Sequence, residues 1–180
     1  MDSSFRNCLC FFCVVFLCLT ASAQVWTAST GTASSSGSRI SGPSVFLNSS
    51  LSNGTVVIRY NVLPVRDLIK PLDPAAPGQC RELFVRFLDN GSAARVITSL
   101  RRMDVRTGQI TTLLTFDSNS VPAQSTFQRR GSVCQAFEFD FADAHDDTGS
   151  GVYYIEAQLS KSSASGNPGI SAIAIETINP

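Results

Sequence analysis

From Ser44 onward, hydrophobic and polar positions alternate with a period of two. In TVVIRYNV (residues 55–62), Val56, Ile58, Tyr60 and Val62 share one face, while Val57, Arg59 and Asn61 take the other. That period and its β-branched content predict a half-buried strand. RELFVRFL repeats it with Leu83, Val85 and Phe87 inward, and QAFEFDF with Phe137, Phe139 and Phe141. VYYIEAQLS puts Tyr153, Ile155, Ala157 and Leu159 on one side, which leaves Tyr154 facing out. SVFLN before Asn53-Gly54 and ISAIAIETI near the end are further strand candidates. RRMDVRTGQITTLLTF reads as a hairpin turning at Thr107-Gly108, with Ile110, Thr112, Leu114 and Phe116 alternating after the turn.

Helical periodicity is missing by comparison. No segment holds a 3.6-residue period over three turns, and Pro64, Pro71, Pro74 and Pro77 leave room in residues 63–79 for one helical turn around Arg66 to Ile69. About eight short strands separated by Gly, Pro and Asn turns predict an all-β fold. The expectation is a single antiparallel β-sandwich, immunoglobulin-like or a related Greek key, over residues 44–180.

Two local likenesses bear on topology. DDTGSGVYYIEAQL resembles the approach to the sixth strand of immunoglobulin domains, where an Asp-Gly corner precedes a Tyr. It departs from that pattern where Ile155 and Ala157 stand in place of a Cys, and Trp26 lies upstream of both later cysteines instead of between them. D-x-x-T-G-x-I-x-x-L, from Asp104 to Leu113, resembles the outer hairpin of a β-propeller blade. One copy implies a hairpin, since a propeller needs the unit at a fixed period.

The N-terminal composition is of another kind. A short apolar run from Cys8 to Leu19 follows Arg6 and ends at Ala21-Ser22-Ala23, a small-residue cleavage site. Residues 1–23 therefore read as a signal peptide, and the run is short for a membrane span. Neither Cys13 nor Cys18 follows a small residue, as a lipoprotein signal would require. Residues 24–43, rich in Ser, Thr and Gly, read as a flexible lead-in. The protein is thus expected to be secreted, into the extracellular space or a bacterial periplasm, with no membrane span after cleavage. Cys8, Cys10, Cys13 and Cys18 leave with the signal. Cys80 and Cys134 remain and are expected to form one disulfide. Two cysteines and one histidine without C-x-x-C spacing do not supply a zinc site.

Net charge is zero, which argues against nucleic-acid partners. The charge is uneven, with eight arginines against four acids over residues 81–130 and seven acids against Lys161 over residues 131–180. The Arg101-Arg102 and Arg129-Arg130 pairs fit strand edges protected against aggregation, or equally a surface for sulfated or acidic polysaccharide; with zero net charge, edge protection is the favoured reading. The sequons at Asn48, Asn53 and Asn90 would be glycosylated only in a eukaryotic secretory pathway.

ADAHDDTGSG, residues 142–151, concentrates the candidate chemistry. His145 with Asp143, Asp146 or Asp147 offers a base–acid pair. A hydrolase also needs a positioned nucleophile and an oxyanion hole, and no G-x-S-x-G stands in the chain. Asp140, Asp143, Asp146 and Asp147 offer oxygen ligands for calcium, but their spacing departs from D-x-[DN]-x-[DN]-G. Asp, Gly and Ser are also ordinary turn residues. The balance favours a solvated loop with no metal and no cofactor. The leading expectation is a secreted, non-catalytic interaction or structural module whose partner is a protein or polysaccharide. A ligand-binding module for carbohydrate or calcium, using the loop at 142–151, stands second, and a hydrolase centred on His145 third. For carbohydrate, Tyr154 is the best outward aromatic platform.

Export with cleavage after Ala23 predicts a mature chain starting at Gln24. Intact-mass measurement of the secreted protein checks this, and a retained N-terminus refutes it.

Overall fold

The computed structural model describes residues 23–28, 32–33, 37–142 and 150–179. Among them, three strands precede the main domain: β1 (Ala23–Ala28), β2 (Thr32–Ala33) and β3 (Ser38–Ser41). Then follow β4 (Ser44–Leu47), β5 (Gly54–Val62), β6 (Cys80–Asp89) and β7 (Ala94–Asp104). The last four are β8 (Ile110–Asp117), β9 (Gln124–Gly131), β10 (Gly151–Lys161) and β11 (Gly169–Ile178). One short helix, α1 (Arg66–Ile69), sits where the prolines left room for it. None of the described helices is long and apolar enough to cross a membrane.

The strands form two antiparallel sheets. The first has the order β3-β4-β11-β6-β9, with β1 also on β11, and the second β2-β5-β10-β7-β8. From β4 onward the chain changes sheet at every step except the β7–β8 hairpin. This is the order of a jelly roll, the Greek-key arm of the expected sandwich. The hairpin turns at Gly108, whose φ of 72° suits a residue without Cβ. Asn53-Gly54 does turn the chain, but it carries it from the first sheet to the second and closes no hairpin.

Period-two alternation builds the core. Val56, Ile58, Tyr60 and Val62 of β5 face Leu83, Val85 and Phe87 of β6, with Tyr153, Ile155, Ala157 and Leu159 of β10 beside them, all buried. Phe87 meets Phe116 of β8 across the sandwich at 4.9 Å between ring centroids. Each large side chain withdrawn this way stabilises the fold by roughly 1.5–3 kcal/mol before entropy is counted.

Four readings of the sequence need revision. First, QAFEFDF is not a strand. Residues 135–141 make only two isolated bridges, Arg81 to Gln135 in the first sheet and Phe141 to Gly151 beside the second. A segment that crosses from one sheet to the other cannot join either ladder. Its phenylalanines instead pack half-buried against the core and Tyr153, with Phe139 and Phe141 stacked at 5.3 Å. Second, β9 takes the vacant place in the strand count. Its QSTFQRRG pattern is polar because it lies at a sheet edge and buries only Gln128 fully. Third, a register shift between Leu100 and Arg101 breaks the run from Ile110 to Phe116. Leu114 and Phe116 are buried, whereas Ile110 is half exposed. Fourth, residues 24–43, read as a lead-in, carry β1, β2 and β3, which pair with β11, β5 and β4.

Cys80 and Cys134 form the expected disulfide, with Cα atoms 5.6 Å apart and 54 positions separating them. It joins the start of β6 to the crossing segment, so the aromatic closure is anchored at its first residue. In the chain-entropy account, a loop of this length stabilises the fold by about 4 kcal/mol. The double variant Cys80→Ala/Cys134→Ala should lose much of that in urea unfolding monitored by circular dichroism. An unchanged midpoint would mean that packing alone holds the segment.

Candidate functional site

A charged network surrounds Asp140 and Ser150. Arg102 of β7 holds Asp140 with two hydrogen bonds, Nε–H to Oδ1 at 2.8 Å and Nη2–H to Oδ2 at 2.6 Å. The Tyr153 hydroxyl donates to the same carboxylate and accepts from the Asp140 backbone N–H at 2.9 Å. Ser150 accepts from Arg102 and donates to Asp104, which also takes the backbone N–H groups of Arg106 and Thr107. Arg102, first, and then Tyr153 hold the Asp140 carboxyl below the usual range. Burial, and then Asp140, push the Tyr153 phenol up to about 12. The Thr107 and Ser150 bonds bring Asp104 down to about 2.

Asp140 is exposed, and its carboxylate is taken up by Arg102 and Tyr153. The network clamps β7, β10 and the crossing segment at one end of the sandwich. Asp143, His145, Asp146 and Asp147 lie outside the described residues. Among the described residues, no three His, Cys, Asp or Glu side chains gather as metal ligands.

A second feature is a cleft of about 350 Å³ beside residues 67–79, with Asp67, Lys70, Asp73 and Asn179 on its walls. Arg81, buried at its base, donates to the carbonyls of Leu68 (3.4 Å) and Lys70 (2.8 Å) and to Thr177 Oγ1 (2.5 Å). These bonds clasp α1 onto the first sheet. Both terminal nitrogens are engaged in these bonds while Nε has no partner, and Arg81 reads as a structural pin.

The two outer sheet faces differ in chemistry. On the second sheet, Glu156 takes both nearby cations, Arg59 at 2.8 Å and Arg101 at 3.0 Å. Tyr154 stands beside them, half-buried and facing out as expected. On the first sheet, β11 presents Ala172 and Ala174 in register with Arg86 and Phe84 of β6. These small side chains leave a depression of about 180 Å³, bordered by Phe84, Arg86, Arg129 and Glu176. Phe46 lies over Gly169, where a Cβ would come within 2.7 Å of the ring. Its centroid stands 5.7 Å from that of Phe127, edge to face.

Guanidinium groups cover these rings: Arg39 over Phe46, Arg86 over Phe127 and Arg129 over Phe84, at 4.9, 5.2 and 3.8 Å. Arg129 also pairs with Glu176. Burial, and then the facing Glu176, raise the pKa of Glu82. The sequence offered one clue to this face. Phe84 alternates with inward Leu83 and Val85, so it had to point outward. The remainder comes from strands distant in the chain, and the sequence favours edge protection over polysaccharide binding for Arg129-Arg130.

No protein-family model matches the chain, and no curated protein matches it in sequence. Among solved structures, the xylan-binding module CBM15 is 11% identical, with a TM-score of 0.42 over 88% of this chain and 95% of the other. The family 30 carbohydrate-binding module of a Clostridium thermocellum cellulosomal cellulase is 14% identical, with a TM-score of 0.42 over 86% and 96%. CBM35 from Cellvibrio japonicus Abf62 is 17% identical, with a TM-score of 0.27 over 87% and 88%. These likenesses concern chain architecture alone. The class defined by the fold is the antiparallel two-sheet β-sandwich.

Asp104 and Asp140 both have lowered folded-state pKa values, so the stability they confer is complete above the unfolded value of about 3.9 and is lost as pH falls below it. Melting temperature should drop between about pH 4 and pH 2, and Asp104→Asn and Asp140→Asn should each flatten that drop while lowering stability at pH 7. Variants that melt with the wild-type acid slope would remove the network from the account.

Proposed function

We propose that the chain is an exported, non-catalytic module that binds polysaccharide along the outer face of the first sheet. One observation carries this reading. Half-buried Phe84, with Arg86, Arg129 and Glu176, borders a shallow trough floored by Ala172 and Ala174, and half-buried Phe46 and Phe127 lie on the same outer face beneath the guanidinium groups of Arg39 and Arg86. A shallow small-residue floor admits the edge of a sugar ring, and the guanidinium donors held over the flanking aromatic rings suit sugar hydroxyls. The expected signal peptide at residues 1–23 supports the same reading, because it would bring the module to extracellular or cell-surface glycans. Trough binding needs neither calcium nor His145.

A protein-interaction role is the second reading. It is favoured by exposed apolar side chains at one end of the second sheet, where Val152, Met103 and Ile110 align in register across β10, β7 and β8.

Affinity electrophoresis through gels containing a panel of soluble plant, algal and bacterial polysaccharides separates the two. At least one polymer should retard the protein. Phe46→Ala and Phe127→Ala should weaken retardation on the order of tenfold, about 1.4 kcal/mol each, with melting curves confirming a folded chain. Tyr154→Ala and Ile110→Ser should leave it unchanged. Loss confined to the latter pair would move the site to the second sheet, and retardation by no polymer would remove the carbohydrate reading.

A further inference from the structure

Resting on that reading, we propose that the trough selects an acidic polysaccharide, one bearing uronate carboxylates, and that Arg39 and Arg86 are the residues that recognise the charge. The two arginines stand at opposite ends of one stack. Arg39 lies over Phe46, Phe46 meets Phe127, and Phe127 carries Arg86, with successive centres 4.9, 5.7 and 5.2 Å apart. The two cations therefore belong to one continuous aromatic–cation cluster on the outer face and come from different strands.

Their chemistry differs from that of most other strand arginines, Arg81 and exposed Arg130 also having no ion pair among the described residues. Arg59, Arg95, Arg101, Arg102 and Arg129 each have a carboxylate oxygen within ion-pair distance. Among the described residues, no carboxylate pairs with Arg39 or Arg86, and both side chains are exposed. Arg86 is held in place, since its Nη1–H donates to Ser171 Oγ at 3.0 Å and the Ser171 hydroxyl donates back to the Arg86 carbonyl at 3.3 Å. Stacking uses the face of a guanidinium and leaves its N–H edge open in the plane. A carboxylate binds that edge through two parallel hydrogen bonds, so the ring contact and the anion contact coexist.

The opposite end of the trough has the reverse character. Glu82 and Glu176 are register partners there, and Arg129 is spent on Glu176. A uronate is repelled at that end and drawn to the Arg39–Arg86 end, which fixes where its charges sit. The same two carboxylates disfavour a uniformly and densely charged polymer such as a nucleic acid or a heavily sulfated glycan.

The test compares polymers that share a backbone and differ in charge: polygalacturonate against its highly methyl-esterified form, with dextran sulfate and single-stranded DNA as further arms, by affinity electrophoresis and calorimetry. Polygalacturonate should bind, esterification should weaken binding on the order of tenfold or more, and added salt should weaken it further. Arg39→Gln and Arg86→Gln should each reproduce most of the loss due to esterification, while Arg59→Gln on the second sheet should not. Equal binding of esterified and free polymer, or binding of a neutral glycan with none of polygalacturonate, overturns the acidic assignment and leaves polysaccharide binding standing. Dextran sulfate or DNA binding as tightly as polygalacturonate also overturns it, as generic charge attraction. Binding to no polysaccharide of either charge removes both readings.

Discussion

Everything in this molecule depends on the meeting of two inward faces of alternating side chains. Leu83, Val85 and Phe87 from one sheet and Ile58, Ile155 and Leu159 from the other lose nearly all contact with water only because the sheets stack. A strand that gives alternate residues to a core must give the remainder to the outside. The outer faces are thus by-products of core formation, and their chemistry is set by residues the core does not constrain. The jelly-roll order intensifies this. Because the chain changes sheet at nearly every step, each outer face is a composite of segments far apart in sequence.

Departures from regular alternation occur where the sandwich must close or bend. The register shift between Ile170 and Ala172 lets both Ile170 and Ile173 reach the core, which strict alternation would forbid. It also leaves Ser171 beside Arg86, so one irregularity serves both the interior and the outer face. The crossing segment after Cys134 closes the end of the sandwich with stacked phenylalanines instead of a ladder. It is tied at its start by the disulfide and at Asp140 by Arg102 and Tyr153. Arg81 clasps the proline-rich segment at the same entrance to β6.

The contrast between the outer faces is one of charge satisfaction. On the second sheet one glutamate neutralises two arginines, leaving a balanced polar surface. On the first, guanidinium groups stand over aromatic rings, and two of those groups have no acid opposite them among the described residues. A cation stacked on a ring keeps its charge and most of its donors while losing freedom of orientation. Such a group is ready to receive an anion at a small entropic cost.

The sequence by itself determined the inward set. The clean alternation of β5, β6 and β10 named their buried residues, the prolines confined α1 to Arg66–Ile69, and Cys80 and Cys134 stood apart from the cysteines of the expected signal peptide as a single pair. These are local or counting arguments, and period two is a local property of the backbone. Which strands become neighbours depends on the matching of whole faces, which no short window contains. Only the tertiary structure could place polar β9 at an edge, turn QAFEFDF from a strand into a bridge between sheets, and spend Asp140 on Arg102. It alone brought Arg39, Phe46, Arg86 and Phe127 together. These four residues come from four strands of one sheet, and only the stacking of the core sets their distances.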